Sequence, residues 1–319
     1  GTNMESTTSI PEAPKKIERQ SILSRLMDNP VILKELRGRM RGGQAFVLLT
    51  IYLGLIAMFI LFVYSVISPA YSYAFDASAR QDAGKAIFGT VVLLELLLVS
   101  FIAPGLTAGA ITSEREHQTY ELLRTTLLSA RSLVLGKLGS AFAYIFLLIL
   151  TAVPLQSLAF LLGGVGLGEL IVSELLLVVT AVFFCTLGIF FSSLLKRTLA
   201  ATVSSYAAIL FSFLVIVFIF FLIAYTEALS YNSIINEVVE YFLGLIIWAL
   251  VSTNPLMAAI ISEVILVEDQ SLFYTTSQMF GSNGPTFLPS PWIVYVLFYT
   301  GFTLLLIFLS IQLVKRPER

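Results

Sequence analysis

Residues Leu170 to Ala224 read LIVSELLLVVTAVFFCTLGIFFSSLLKRTLAATVSSYAAILFSFLVIVFIFFLIA, two apolar runs parted chiefly by Lys196 and Arg197. Each exceeds the ~20 apolar residues with which a helix crosses ~30 Å of hydrocarbon at a rise of about 1.5 Å per residue. They are expected to be membrane spans, Leu170 to Leu195 and Leu199 to Ala224. The same criterion, applied outward, gives four more: Ala45 to Ile67, Ala86 to Ile111 with Glu95 and Pro104 inside it, Leu138 to Leu162, and Trp292 to Val314. Composition agrees. The chain has 319 residues, 57% of them apolar and 12% charged, about half the ~25% charge of a soluble domain. A mean hydropathy of +0.91 is too high for a water-facing surface, which excludes a soluble enzyme.

Six spans place both ends on one side, and the basic residues say which. With the N-terminus inside, every one of the 19 Lys and Arg except Arg80 and Lys85 is cytoplasmic. The outer segments instead hold Asp76, Asp82, Glu227, Glu237, Glu240, Glu263, Glu268 and Asp269. Between Tyr225 and Pro291 the runs Phe242 to Val251 and Leu256 to Leu266 are each too short to cross. Asn254-Pro255 separates them, because proline lacks a helix donor and disfavours helix in the residue before it. Two short external helices are expected, dipping into the outer leaflet or packing on the spans; a hairpin that enters and leaves the membrane also keeps the parity.

Several chemistries are poorly supplied. Cys185 and His117 are the only cysteine and histidine, so no disulfide forms within the chain and no zinc site or Cys-His pair is built from them alone. The net charge of −1 gives no attraction to nucleic acid. Catalytic residues and metal ligands are therefore not expected.

At the N-terminal side, Asp28-Asn29-Pro30 is a capping signal for a helix. Ile32, Leu33, Leu36 and Met40 fall on one stripe, and Lys34, Arg37 and Arg41 on the other, as in a helix lying among lipid headgroups. It reads either as a basic anchor for the first span or as a moving elbow. After the second span, Ile111 to Thr126 (ITSEREHQTYELLRTT) is expected to be a charged helix of about two turns, capped by Thr112 or Ser113, with Glu114 and Glu116 complementing its dipole. Ser129 is a second cap. Tyr120, Leu122 and Leu123 are apolar residues that imply a docking surface, where the plainer alternative is a solvated loop.

Ser113-Glu114-Arg115-Glu116, followed by Thr119-Tyr120-Glu121-Leu122-Leu123, then Thr126, Leu128, Ser129 and Leu135-Gly136-Lys137, resembles the loop of type-2 ABC transporter permeases. Those permeases often show Glu-x-Glu-x-Gly-Thr-x-Glu-Leu-Leu after the second span. Here Gln118 stands where Gly is frequent, and Thr126-Leu127-Leu128 where Thr-Pro-Leu is frequent. The resemblance extends to the helix carrying Asn29, Pro30, Lys34, Arg37 and Arg41, to six spans, and to external helices before the last, and so covers nearly the whole chain.

It implies an all-α integral membrane protein: tail and elbow over 1–44, five spans over 45–224 with a cytoplasmic coupling helix at 112–128, an external short-helix region over 225–291, and the last span with a basic tail over 292–319. It further implies a permease subunit of an ATP-driven exporter in a prokaryotic plasma membrane, with both termini cytoplasmic. Its partners would be an ABC ATPase, which carries ATP and Mg, and a second permease, identical or not. Ser113, Glu114, Arg115, Glu116, Thr119, Tyr120, Glu121, Leu122 and Leu123 would meet that ATPase. The residues agree that hydrolysis belongs elsewhere, because a phosphate-binding loop would need glycine at Arg131 and Ser or Thr at Leu138 around Gly136-Lys137.

Within the spans, Glu95 is the residue whose placement needs a reason. It is protonated or bonds to span neighbours such as Ser204, Ser205 or Tyr206, lines a substrate route, or relays protons. Glu174 reads as interfacial. Gly105 and Gly109 form a close-packing face or a hinge, and Gly163 to Gly168 a tight turn. Two other functions stay open: a non-transporting scaffold or signalling subunit, and an ion-coupled carrier using Glu95.

Overall fold

The computed structural model describes Glu35, Arg37, Gly38 and residues 43–71, 77–118, 129–231, 237–268, 272–277 and 286–315. Its order is α1 (Gly43–Tyr71), α2 (Ala77–Thr107), α3 (Thr112–Glu116), α4 (Ala130–Leu162), α5 (Leu167–Leu194), α6 (Thr198–Tyr231), α7 (Glu237–Thr253), α8 (Pro255–Glu268), strands β1 (Tyr274–Ser277) and β2 (Thr286–Pro289), and α9 (Pro291–Lys315). Among the described residues, α1, α2, α4, α5, α6 and α9 are long and apolar enough to cross a membrane. This is the architecture of an all-α membrane protein. The six helices alternate in direction, so α3 and the starts of α4 and α6 gather at one end, termed here the basic end.

Helix α5 is the hub. It lies against α2, α4, α6 and α9, and Leu176, Leu177, Ala181, Phe184, Cys185 and Ile189 are buried at its centre. Cys185 serves there as a small apolar side chain. Gly188 lets α2 approach closely, since a Cβ there would collide with the Thr107 side chain. A second cluster joins Tyr52 and Ile56 of α1 to Phe88, Val91 and Val92 of α2 and Leu148 and Ala152 of α4. By contrast α1 and α6 are the spans least covered by the rest of the chain; Phe46, Leu61, Phe211 and Phe221 are exposed on them. Those faces suit lipid or another protein.

The termini obey local chemistry. Ser129 Oγ accepts from the Ser132 amide at 3.2 Å, opening α4, and Gly163 ends it with a φ of 78°. Gly164, with a φ of 109°, leaves no room for a side chain against the Gln81 carbonyl, so this turn requires its glycines.

Three details differ from expectation. Among the described residues, the segment after the second span forms a five-residue helix, Thr112–Glu116, with neither Thr112 nor Ser113 as its cap. Ile111 occupies the capping position, and Ser192 Oγ of α5 accepts from the Ile111 and Thr112 amides at 2.8 and 3.1 Å. Orphan donors at the helix start are thus satisfied from a neighbouring span rather than locally. The external region is not wholly helical, since β1 and β2 pair antiparallel, Tyr274 opposite Pro289. Its helices are also longer than their apolar cores, and α7 and α8 meet at a 104° bend.

That bend lies inside the bundle. Asn254 Nδ2 donates to the Ser212 carbonyl of α6 at 2.7 Å, and the Tyr299 hydroxyl of α9 donates to the Thr253 carbonyl at 2.9 Å. Tyr299 is eight residues into α9, about 12 Å by helical rise. The pair is therefore a hairpin whose apex reaches well into the helix packing. Asn254 Oδ1 accepts from the Leu256 and Met257 amides at 3.1 and 3.2 Å, and Pro255 follows as the first helical residue, where its missing N–H costs nothing.

Candidate functional site

At the basic end, α3 is tied to three other elements by three consecutive side chains. Glu114 Oε1 meets Lys137 Nζ of α4 at 3.3 Å, and the same ammonium meets Glu35 Oε1 at 2.9 Å. Lys137 is only 6% exposed at the side chain, so the two carboxylates supply the charge that its burial requires. Arg115 Nη1 donates to the Ser193 and Leu195 carbonyls at 3.2 and 2.9 Å, a cation at the C-terminal, negative end of α5. Glu116 accepts from the Thr198 amide at 2.8 Å and from its hydroxyl at 2.7 Å, an anion at the N-terminal, positive end of α6. Those two bonds hold the exposed Glu116 carboxyl below its ordinary range. Charges of opposite sign on α3 thus match opposite helix ends, and α3 is bonded to α4, α5 and α6.

The chain leaves α3 through Gln118, which has a φ of 58°. This left-handed conformation is costly for a residue with a Cβ and easy for glycine. The remaining residues expected to dock, Thr119, Tyr120, Glu121, Leu122 and Leu123, lie outside the described residues. So do Asn29, Pro30, Lys34 and Arg41 of the elbow; Arg37 is helical and exposed.

The second feature is a cavity of about 430 Å³ at the apex of the α7–α8 hairpin. Phe183, Phe184, Phe211, Phe298 and Phe302 provide aromatic walls, whereas Ser212, Thr253, Asn254 and Tyr299 provide polar groups. Phe183 sits edge-on to Tyr299 with ring centroids 4.5 Å apart. The volume falls in the ~300–1,000 Å³ range of ligand pockets, which are likewise mostly apolar with a few polar groups. Broken helical backbone at membrane depth is tolerated where protein or a cavity covers it. Both conditions hold at Asn254.

Glu95 is fully buried in α2. Its partner is Gln156 of α4, whose Nε2 donates to Glu95 Oε2 at 2.8 Å. Two of the neighbours named for it from sequence bond elsewhere: Ser205 donates to the Ala201 carbonyl and Tyr206 to the Phe101 carbonyl. Gly105 and Gly109 face α6, where added methyl groups would press on the Tyr206 hydroxyl and Thr198 respectively.

Sequence reasoning missed Glu35, Gln156, Ser192, Thr198 and the cavity lining. A lysine within an otherwise apolar helix was the signal for the Glu35 pairing, but no local signal connects Gln156 to Glu95, which stand 61 residues apart. No protein-family model matches the chain, and no curated protein matches it.

Proposed function

We propose that this chain is the permease subunit of an ATP-driven ABC exporter, receiving conformational work at α3 from a separate ATPase. The observation that carries the proposal is the linkage of α3: Glu114, Arg115 and Glu116 join it to α4, α5 and α6. A push at this segment is transmitted to three spans through charge-assisted bonds. Supporting it, Gln118 adopts the left-handed conformation at the motif position where type-2 permeases often have glycine. In this reading the basic end is cytoplasmic, which the distribution of Lys and Arg supports. The lightly covered faces of α1 and α6 accommodate a second permease. Apolar walls with a polar floor at the hairpin apex suit an amphipathic or hydrophobic cargo.

Work requires that the ATPase bind two conformations of the permease unequally. The test is affinity purification of the tagged chain from its native membrane, with the Arg115→Ala/Glu116→Ala double variant alongside. Co-purification of an ATPase, and substrate-stimulated hydrolysis that falls at least tenfold in the variant while the chain remains inserted, is the expected result. An isolated chain that moves cargo without any ATPase would overturn the proposal. A carrier driven by ions is the second reading, favoured by the broken α7–α8 pair and the buried Glu95, although such carriers often break two corresponding helices.

A further inference from the structure

One group of acidic side chains lies near the middle of the bundle and a second toward the end remote from the basic end. The deeper one draws on four helices: Tyr52 of α1, Glu95 of α2, Gln156 of α4 and Glu174 of α5. Glu95 and Gln156 are fully buried and Tyr52 is 2% exposed. The Gln156 amide bonds to Glu95 and also reaches Glu174, and Tyr52 lies in the electrostatic field of both carboxyls. Four oxygens shielded from solvent here have no partner: Tyr52 Oη, Glu95 Oε1, Gln156 Oε1 and Glu174 Oε1. Buried polar atoms are seldom left this way.

The shallower group surrounds a cavity of about 10 Å³ whose polar lining is Glu169 and Ser173 of α5 and Ser262 and Glu263 of α8, the rest of the lining being apolar, the room of about one water. Glu169 Oε2 and Ser262 Oγ are unpartnered. Glu263 fits against α2 because residue 89 is glycine; a Cβ there would stand 3.1 Å from both its carboxyl oxygens. The Gly166 amide bonds to Glu169, and Lys85 is the cation facing it. From Gly89 to Glu95 is about 9 Å along α2, and from Glu169 to Glu174 about 7.5 Å along α5. The two groups are thus successive.

Charge and hydrogen bonding point to the same ligand. There is no Lys, Arg or His in α1, in α2 beyond Lys85, in α4 beyond Lys137, or in α5, so nothing on these helices neutralises Glu95 and Glu174. Three of the four unpartnered atoms are acceptor oxygens, and only the Tyr52 hydroxyl can donate. A proton on either carboxyl removes one charge and converts an acceptor into a donor. Among the described residues, no cluster of three or more His, Cys, Asp or Glu side chains is built to hold a metal ion.

We propose that Glu95, Gln156, Glu174 and Tyr52 form a proton-binding site inside the bundle, reached from the end remote from α3 through the cavity between Glu169 and Glu263. A hydronium at the cavity loses its proton and remains as water; a carboxylate oxygen of Glu174 or Glu95 gains it, and release is the reverse. This site does not depend on the ATPase reading and is tested on the chain alone.

The experiment is infrared difference spectroscopy of the purified chain in liposomes after a pH jump. The expected result is a carboxylic-acid C=O band that appears on acidification, is lost or halved in Glu95→Gln and in Glu174→Gln, and is unchanged when NaCl replaces choline chloride. Gly89→Leu, which crowds Glu263, should slow its appearance at least tenfold. A band that persists at full size in both Gln variants overturns the site; a band abolished by NaCl at constant pH makes it a sodium site instead. An unaltered rate in Gly89→Leu overturns the route. Should the Gln variants not fold, Glu95→Asp decides: a shifted band sustains the assignment and an unshifted one overturns it.

Discussion

Asn254 bonds through both ends of its side-chain amide, with Oδ1 capping α8 and Nδ2 donating to the Ser212 carbonyl of α6 at 2.7 Å. One residue therefore ends the hairpin's first limb, starts the second and fixes the apex to a span. The cap follows from local chemistry, but the bond to α6 depends on where the hairpin lies. Serine retains a capping acceptor and is too short to reach the Ser212 carbonyl, which separates the two roles.

Asn254→Ser is expected to weaken the chain by roughly 1 kcal/mol, about one neutral hydrogen bond. Asn254→Ala loses the cap as well, for a total of about 2–3 kcal/mol. Thermal unfolding in detergent would show the ranking. Equal losses in both variants would mean that the cap contributes nothing and that the apex is held by the contact with α6 alone.

Glu116 gives a pH dependence with a definite sign. Thr198 stabilises its ionised form, so the folded-state value lies below the ordinary 4.5. The stabilisation is fully present above the unfolded value and is lost as pH falls through the lower folded one. The protection of the Thr198 amide, its intrinsic exchange rate relative to the observed rate at the same pH, should therefore be high at neutral pH and fall as the solution is acidified below about 4.5. Glu116→Gln should remove that acid-dependent change, and a wild-type protection that is flat over this window would refute the bond's role.

Gln118 supplies a test at the exit from α3. Its φ of 58° costs a side-chain-bearing residue about 1–2 kcal/mol, against roughly 0.5–1 kcal/mol of extra freedom that glycine gives the unfolded chain. Gln118→Gly should be neutral to stabilising, by up to about 1 kcal/mol, and Gln118→Val clearly destabilising, because a β-branched residue is poorly suited to positive φ. The order Gly, Gln, Val in melting temperature is the measurable outcome. A valine variant as stable as the glycine one would exclude a left-handed residue here.

What could be read from sequence divides along the same physical line. Length and hydropathy suffice for the six long helices because each satisfies its backbone internally, whatever surrounds it. Asn254-Pro255 and Ser129 were likewise legible, since a cap and a proline act on adjacent residues. Ile111 shows the limit: its helix is capped by Ser192, 81 residues away. Sequence spacing cannot convey that. Glu95 is similar, conspicuous by its charge while its partner Gln156 looks like any polar residue in a span. The cavity at the hairpin apex was not legible because it arises from the 104° bend and from four helices at once.

Gly188 tests whether α5 is the hub that its burial suggests. An alanine methyl there would overlap Thr107 Oγ1 and come within 3.2 Å of the Ala108 amide nitrogen. Thr107 is fully buried and its hydroxyl donates to the Ala103 carbonyl at 2.9 Å. It cannot simply rotate away without giving up that bond, so α2 and α5 must separate or the threonine must move. Overpacking of this kind costs about 1–3 kcal/mol. Gly301 of α9 provides the control, with nothing within 4 Å of an added Cβ. Gly301→Ala should leave the unfolding temperature unchanged or slightly higher, because alanine favours helix over glycine by roughly 1 kcal/mol, while Gly188→Ala lowers it. Because α3 follows directly from α2, Gly188→Ala should also loosen the Ser192 cap, read as faster hydrogen exchange at the Ile111 and Thr112 amides. If both alanine variants unfold together and those amides keep their protection, the α2–α5 contact is not what positions α3.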